Sequence, residues 1–187
     1  RLLAMKTPLG EDALLPVALS VTEAIGEPYE IEVEAVGKDA TLTAKQLLGQ
    51  PISVTVTRAS TYKRSFHGVV VEFARLGPGP AGTTAYRLVA APKAWRAGLA
   101  IDCAIFQDKP LRVIVDEVLE AEAQEAPSWA GQVPSTQIPY CTRFNETGLG
   151  FVSRLLEEHG LTYYHRHGEA EATMVITGDA AALPLFA

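Results

Sequence analysis

Residues 140–167 read YCTRFNETGLGFVSRLLEEHGLTYYHRH, and this stretch decides the fold. Tyr140 to Phe144 alternates as a strand does, and Asn145, Glu146 and Thr147 interrupt it. Thr147 is placed as an N-cap, its hydroxyl able to accept a free backbone N–H of the first helical turn. Phe151, Val152, Leu155 and Leu156 then fall on one stripe, with Ser153, Arg154, Glu157 and Glu158 around the other side, which predicts an amphipathic helix. Gly160 stops it, because a left-handed residue after the last turn costs glycine least. Leu161 and Tyr163 resume a period of two, so one helix lies against a sheet.

Downstream, Ala172–Thr177 supplies a closing strand expected to pair with Leu161–His165 as a hairpin. His165 and His167 share a strand face at a spacing two metal ligands could use. No Cys, Asp or third His stands at a telling offset, so a polar surface pair is expected and no metal. Upstream, 126–139 holds three prolines and reads as an ordered loop. Before it, Pro110 suits the first turn of a second helix. Leu111, Ile114, Val115, Val118 and Leu119 form its apolar stripe, opposite Arg112, Asp116, Glu117, Glu120 and Glu122. Catalytic carboxylates must converge across a pocket, whereas these line one solvated face.

The first half of the chain reads as strands. Leu14–Ile25 alternates loosely. Tyr29, Ile31, Val33 and Ala35 then alternate with Glu30, Glu32 and Glu34, the acidic solvated face of a half-buried strand and not a cation site. Ala40–Leu48 suggests a short helix before Gly49 and Pro51, and Ile52, Val54 and Val56 make the next strand. Phe66–Phe73, FHGVVVEF, is strongly apolar. His67 has no serine, cysteine or carboxylate partner identifiable by a motif and reads as structural. Gly68 marks a bulge or a close backbone approach. GPGPAG at 77–82 lacks the lysine, hydroxyl and strand-to-helix setting of a phosphate loop and joins two strands, the second being Thr83–Ala90. Trp95 is a core or interface anchor.

The sequence has 187 residues, 48% hydrophobic, with formal charge −6 and pI near 5.2. Such a length allows one large or two small domains with genuine cores. No run of about 18 apolar residues could span a membrane as a helix, and the acidic balance argues against nucleic acid as a partner. Arg1 is not an initiator, so the start looks trimmed. Cys103 and Cys141 have no metal-ligand or redox spacing and read as thiols on part-buried strands.

Three blocks carry a family resemblance. Tyr140, Cys141, Asn145, Glu146, Phe151, Val152, Arg154–Glu158, Gly160, Tyr163 and Tyr164 form the first, and Pro92, Trp95, Asp102, Ile105, Phe106 and Gln107 the second. Arg64, Phe66, His67, Gly68 and Val70 form the third. Together they resemble the VgrG family, the spike proteins of type VI secretion systems, whose hub region is similar to the baseplate hub proteins of contractile-tailed phages. Gly148 and Gly150 stand where that family carries acidic residues, so a frayed helix start is expected. Ala94 stands for the family's leucine and Ala104 for its arginine, which removes an ion-pair partner for Asp102.

The resemblance implies an α+β, mainly β chain: an antiparallel β-barrel hub domain over 1–107, then a small α+β domain over 108–187 with two short amphipathic helices. It implies a non-enzymatic hub without cofactor, trimeric, docking on a hexameric Hcp-like tube and touching baseplate proteins. A needle, effectors or adaptors and a tip protein would join through sequence beyond these residues. Localisation would be the bacterial cytoplasm at the baseplate, followed by secretion into the medium or a target cell. The alternatives are a phage tail or extracellular contractile injection hub and, from another class, a cell-wall or glycan hydrolase module. Against the hydrolase stand the lack of a nucleophile elbow, a His-Glu-x-x-His and paired carboxylates in a pocket-like context.

Overall fold

The computed structural model describes residues 2–58 and 62–183. Its first strands are β1 (Leu3–Lys6), β2 (Leu15–Thr22), β3 (Glu30–Gly37), β4 (Pro51–Arg58), β5 (Tyr62–Pro78) and β6 (Thr84–Ala91). They form one six-stranded antiparallel sheet in the order β1-β4-β5-β6-β3-β2. Edge strands β1 and β2 approach each other without pairing among the described residues, so the expected barrel is a curled, open one. The alternation of β3 places Ile31, Val33 and Ala35 in the core, where Leu88 and Ala90 of β6 meet them. On the other face Arg87 donates to Glu32 at 2.5 Å, so the acidic row carries a cross-strand cation.

Gly68 is a close approach and not a bulge. Its register with Ile52 is unbroken, and a Cβ there would lie 3.0 Å from the Ala91 carbonyl oxygen. The bulges of β5 fall later, at Val70/Glu72 and Arg75/Gly77, where they let a long strand bend with the sheet. The helix expected over Ala40–Leu48 shrinks to a single 3₁₀ turn, Ala44–Gln46. Asp39 Oδ1 accepts the Thr41 N–H at 2.8 Å in a local turn, and Gln46 Oε1 accepts the Thr43 N–H at 2.8 Å as a capping box, so the helical turn begins only after Thr43.

After a 3₁₀ segment, Lys93–Gly98, come β7 (Ile101–Pro110), α1 (Leu111–Ala123), β8 (Ser128–Ala130), β9 (Gln137–Thr147), α2 (Gly148–Glu158), β10 (Thr162–His167) and β11 (Ala172–Thr177). Both amphipathic helices are present, and their stripes share one core with Leu161, Tyr163, Met174 and Ile176. Pro110 sits at the N-cap of α1, one residue before its first turn. β10 neighbours β11 as expected. The loop expected over 126–139 instead yields β8, parallel to β11, pinned by Trp129 donating its indole N–H to Asp116 at 2.9 Å. Three residues are too short to show a period, which is why the sequence hid that strand.

Two compact units result. One comprises the chain through Glu23, Tyr29–Pro92 and His167–Ala172, and the other Ala24–Pro28, Lys93–Arg166 and the chain from Thr173. β7 straddles Gln107, the boundary expected from sequence, and pairs with β9 as far as Pro110.

Candidate assembly surface

The deciding stretch holds together through its charges. Asn145 to Thr147 do not end the strand. Asn145 adopts φ 52°, a bulge displaces the register, and pairing continues to Ile101↔Thr147. Thr147 caps α2, its Oγ1 accepting the Gly150 N–H at 3.1 Å. The helix ends with Gly160 at φ 69° and Leu161 N donating to the Leu156 carbonyl at 2.9 Å.

The start of α2 is not frayed: it forms from Gly148, which is buried against the Glu122 carboxylate of α1. Glu122 pairs with Arg143, whose side chain is 2% exposed. Arg143 also donates to the carbonyls of Glu146 at 3.0 Å and Ala100 at 3.3 Å.

Several resemblance residues meet beside this pair. Arg154 donates to Glu146 at 2.7 and 3.3 Å, to Glu158 at 2.8 Å and to the Thr142 carbonyl at 3.2 Å, and it lies 5.5 Å over the ring of Phe151. The guanidinium holds the Glu146 carboxyl below the usual carboxylate range. Phe151 stacks on Phe106 with centroids 5.6 Å apart. Leu155 and Tyr163 are buried, and burial pushes the Tyr163 phenol up. Glu157 and Gln107 are exposed, Trp95 is half-buried beside fully buried Ala94 and Ala97, and Asp102 accepts its neighbour's Cys103 N–H at 2.8 Å.

β7 and β9 form a two-stranded sheet with one buried and one exposed face. Phe106, Cys141 and Arg143 point inward. Outward lie Ile101, Cys103, Ile105 and Gln107 of β7, opposite Tyr140, Thr142 and Phe144 of β9. None of these outer side chains is charged, and Phe144 is 76% exposed, Ile101 64% and Ile105 60%. A large apolar face of this kind on an acidic chain is suited to contact with another protein surface. Cys103 is thus exposed, contrary to the part-buried expectation, and both thiols are free. Sequence reading missed this face, though apolar residues on the outward parity of two alternating strands were its signal.

In the first unit Phe66 and His67 meet His167, whose side chain is buried; His165 is half-buried, so the surface pair expected from sequence is not formed. His67 Nε2 lies 3.0 Å from the Gly168 carbonyl oxygen. Among the described residues no group of three or more His, Cys, Asp or Glu is placed to hold a metal ion. A cleft of about 680 Å³ beside β1 and β2 is lined mainly by aliphatic side chains such as Leu2, Leu15, Val17 and Val56. A second, of about 570 Å³, includes Glu11, Asp12 and Asp39, but Asp39 is engaged in its turn by Thr41.

This open antiparallel sheet, followed by two helices on a small mixed sheet, is the fold of contractile-tail hub proteins. The chain belongs to the phage tail baseplate hub (GPD) family, which it matches over residues 22–187. It is similar to the type VI secretion system spike protein VgrG1a of Pseudomonas aeruginosa, 29% identical over 95% of this chain and 27% of that one. The fold is shared with the Escherichia coli c3393 protein, a type VI secretion system component described as similar to T4 bacteriophage tail proteins gp27 and gp5. That likeness has a TM-score of 0.84 and 17% identity over 97% of this chain and 50% of that one. The 43 kDa tail protein of prophage MuSo2 from Shewanella oneidensis gives a TM-score of 0.67 and 14% identity, covering 94% and 53%. The chain therefore spans about a quarter of the length of the curated relative, 27%.

Proposed function

We propose that these residues are the N-terminal hub part of a homotrimeric type VI secretion spike. In this reading the chain docks on an Hcp-like hexameric tube and contacts baseplate proteins. Sequence beyond it would carry the puncturing needle, effectors or adaptors and a tip protein. The hub acts non-enzymatically, assembling in the bacterial cytoplasm and leaving the cell on firing. The observation that carries the reading is the hub-family match over 22–187 together with the spike relatives. The uncharged outer face of the β7–β9 ribbon supports it as a contact between subunits. Native mass measurement and negative-stain imaging of the full protein test it: a trimer with a three-sided spike on a ring is expected, and a monomer at all concentrations refutes it.

A phage tail hub is the second reading, favoured by the family's phage description and by the prophage tail protein's fold. Neighbouring genes separate the two. Sheath and secretion ATPase genes favour secretion, and capsid genes favour a phage.

A further inference from the structure

His167 ends β10 at the turn into β11, and its side chain is 4% exposed. The ring lies 4.7 Å from Tyr29, 5.3 Å from Phe66 edge-on and 6.2 Å from His67, centroid to centroid. Its Nδ1 accepts the backbone N–H of His67 at 3.1 Å. That bond fixes the tautomer: Nδ1 keeps its lone pair and the proton of the neutral ring sits on Nε2, 3.3 Å from Glu23 Oε1. A second proton would set one N–H against another at Nδ1 and leave a buried amide without its acceptor.

The titratable and charged groups facing this ring are one carboxylate, one guanidinium, a phenol and a second imidazole. After β2 comes Glu23, whose other oxygen is already held by Arg64 at 2.6 Å. β3 contributes Tyr29, which donates its hydroxyl to the His67 carbonyl at 2.5 Å. β5 contributes His67 and Arg64, the guanidinium lying 4.5 Å over Phe66. Burial first, then His67 and Arg64, pushes the His167 imidazole down to about 4. His67 differs, because its Nε2 can donate to the Gly168 carbonyl in either protonation state. The two histidines thus tie the 167–172 turn to β5 by two bonds, of which only one is sensitive to acid.

We propose that His167 is an acid-released latch: as a neutral acceptor it holds the β10–β11 turn on β5, and on protonation it lets that turn go. The device is independent of the assembly reading, since it lies within one chain.

The test is a ring titration of His167 by NMR in the full chain, from pH 7.5 to 3.5, with amide exchange of residues 168–172 corrected for intrinsic rates. The expected result is a ring that titrates well below an ordinary histidine, with turn protection falling about tenfold per pH unit over the same range. In H167Q, whose side-chain oxygen can still accept from His67, protection should persist through that range. An ordinary ring titration, a titration without loss of turn protection, or the same loss in H167Q would each overturn the latch. Should H167Q fail to fold, the coupling of ring and turn in the unaltered chain decides.

Discussion

The carboxylate of Glu122 occupies the space that a side chain on Gly148 would need. Glu122 comes from α1 and Gly148 opens α2, whose first turn contains no acidic residue. A helix start favours nearby negative charge. Negative charge is here delivered to that turn from the neighbouring helix, and glycine is the residue that admits it. Arg143 holds the carboxylate in place from the other side.

Gly148→Ala should therefore destabilise the chain although alanine is the better helix former. The new methyl would overlap Glu122 and sit 3.2 Å from the Ala97 carbonyl oxygen. A loss of about 1–3 kcal/mol is expected from overpacking, read from urea denaturation. Glu122→Gln should cost about 2–4 kcal/mol by leaving the buried Arg143 without its counter-charge. The double variant should be non-additive by about 1 kcal/mol, since both changes act on one contact.

Stability should fall in mild acid through His167. Its folded pKa lies below the unfolded value of about 6.5, so below that pH the unfolded chain takes up a proton that the folded chain refuses. The contribution is whole above about pH 6.5, declines as pH falls and is fully lost below about 4, the limit being of the order of 3 kcal/mol. Melting curves from pH 7.5 to 4 check this, and H167Q should show a shallower decline than the unaltered chain.

If the proposed trimer forms through the ribbon, charge placed there should separate its subunits without unfolding them. Phe144→Glu and Ile105→Glu lie on exposed positions, 76% and 60%, so thermal stability should change by less than about 0.5 kcal/mol. Sedimentation at several concentrations should shift from trimer towards monomer. Cys103, on the same face, gives an independent measure: its labelling by a maleimide should slow with assembly and recover in the charged variants.

Gly68→Val should weaken the first unit more than its half-exposed position suggests. The added carbons would press on the Ala91 carbonyl at 3.0 Å and the Ala90 Cβ at 3.2 Å across the β5–β6 pair. A cost of about 1–3 kcal/mol is expected, measured by chemical denaturation.

The alternation of Ile31, Val33 and Ala35, the stripe of Phe151, Val152, Leu155 and Leu156, the Thr147 cap and the Gly160 stop were all legible in the chain itself. Each is a local pattern whose period or backbone preference directly reports which side is buried. What the sequence could not show were β8, the continuation of β9 through Asn145, the burial of His167 and the Glu122–Gly148 fit. Each depends on a partner distant in the chain: Trp129 needs Asp116, His167 needs His67, and Gly148 is explained by a carboxylate from another helix together with the Ala97 carbonyl. Local chemistry thus determined both helices, most of the strands and the family resemblance. Tertiary packing alone decided which polar groups were buried and which apolar face stayed exposed, because those costs are set by neighbours that only folding brings together.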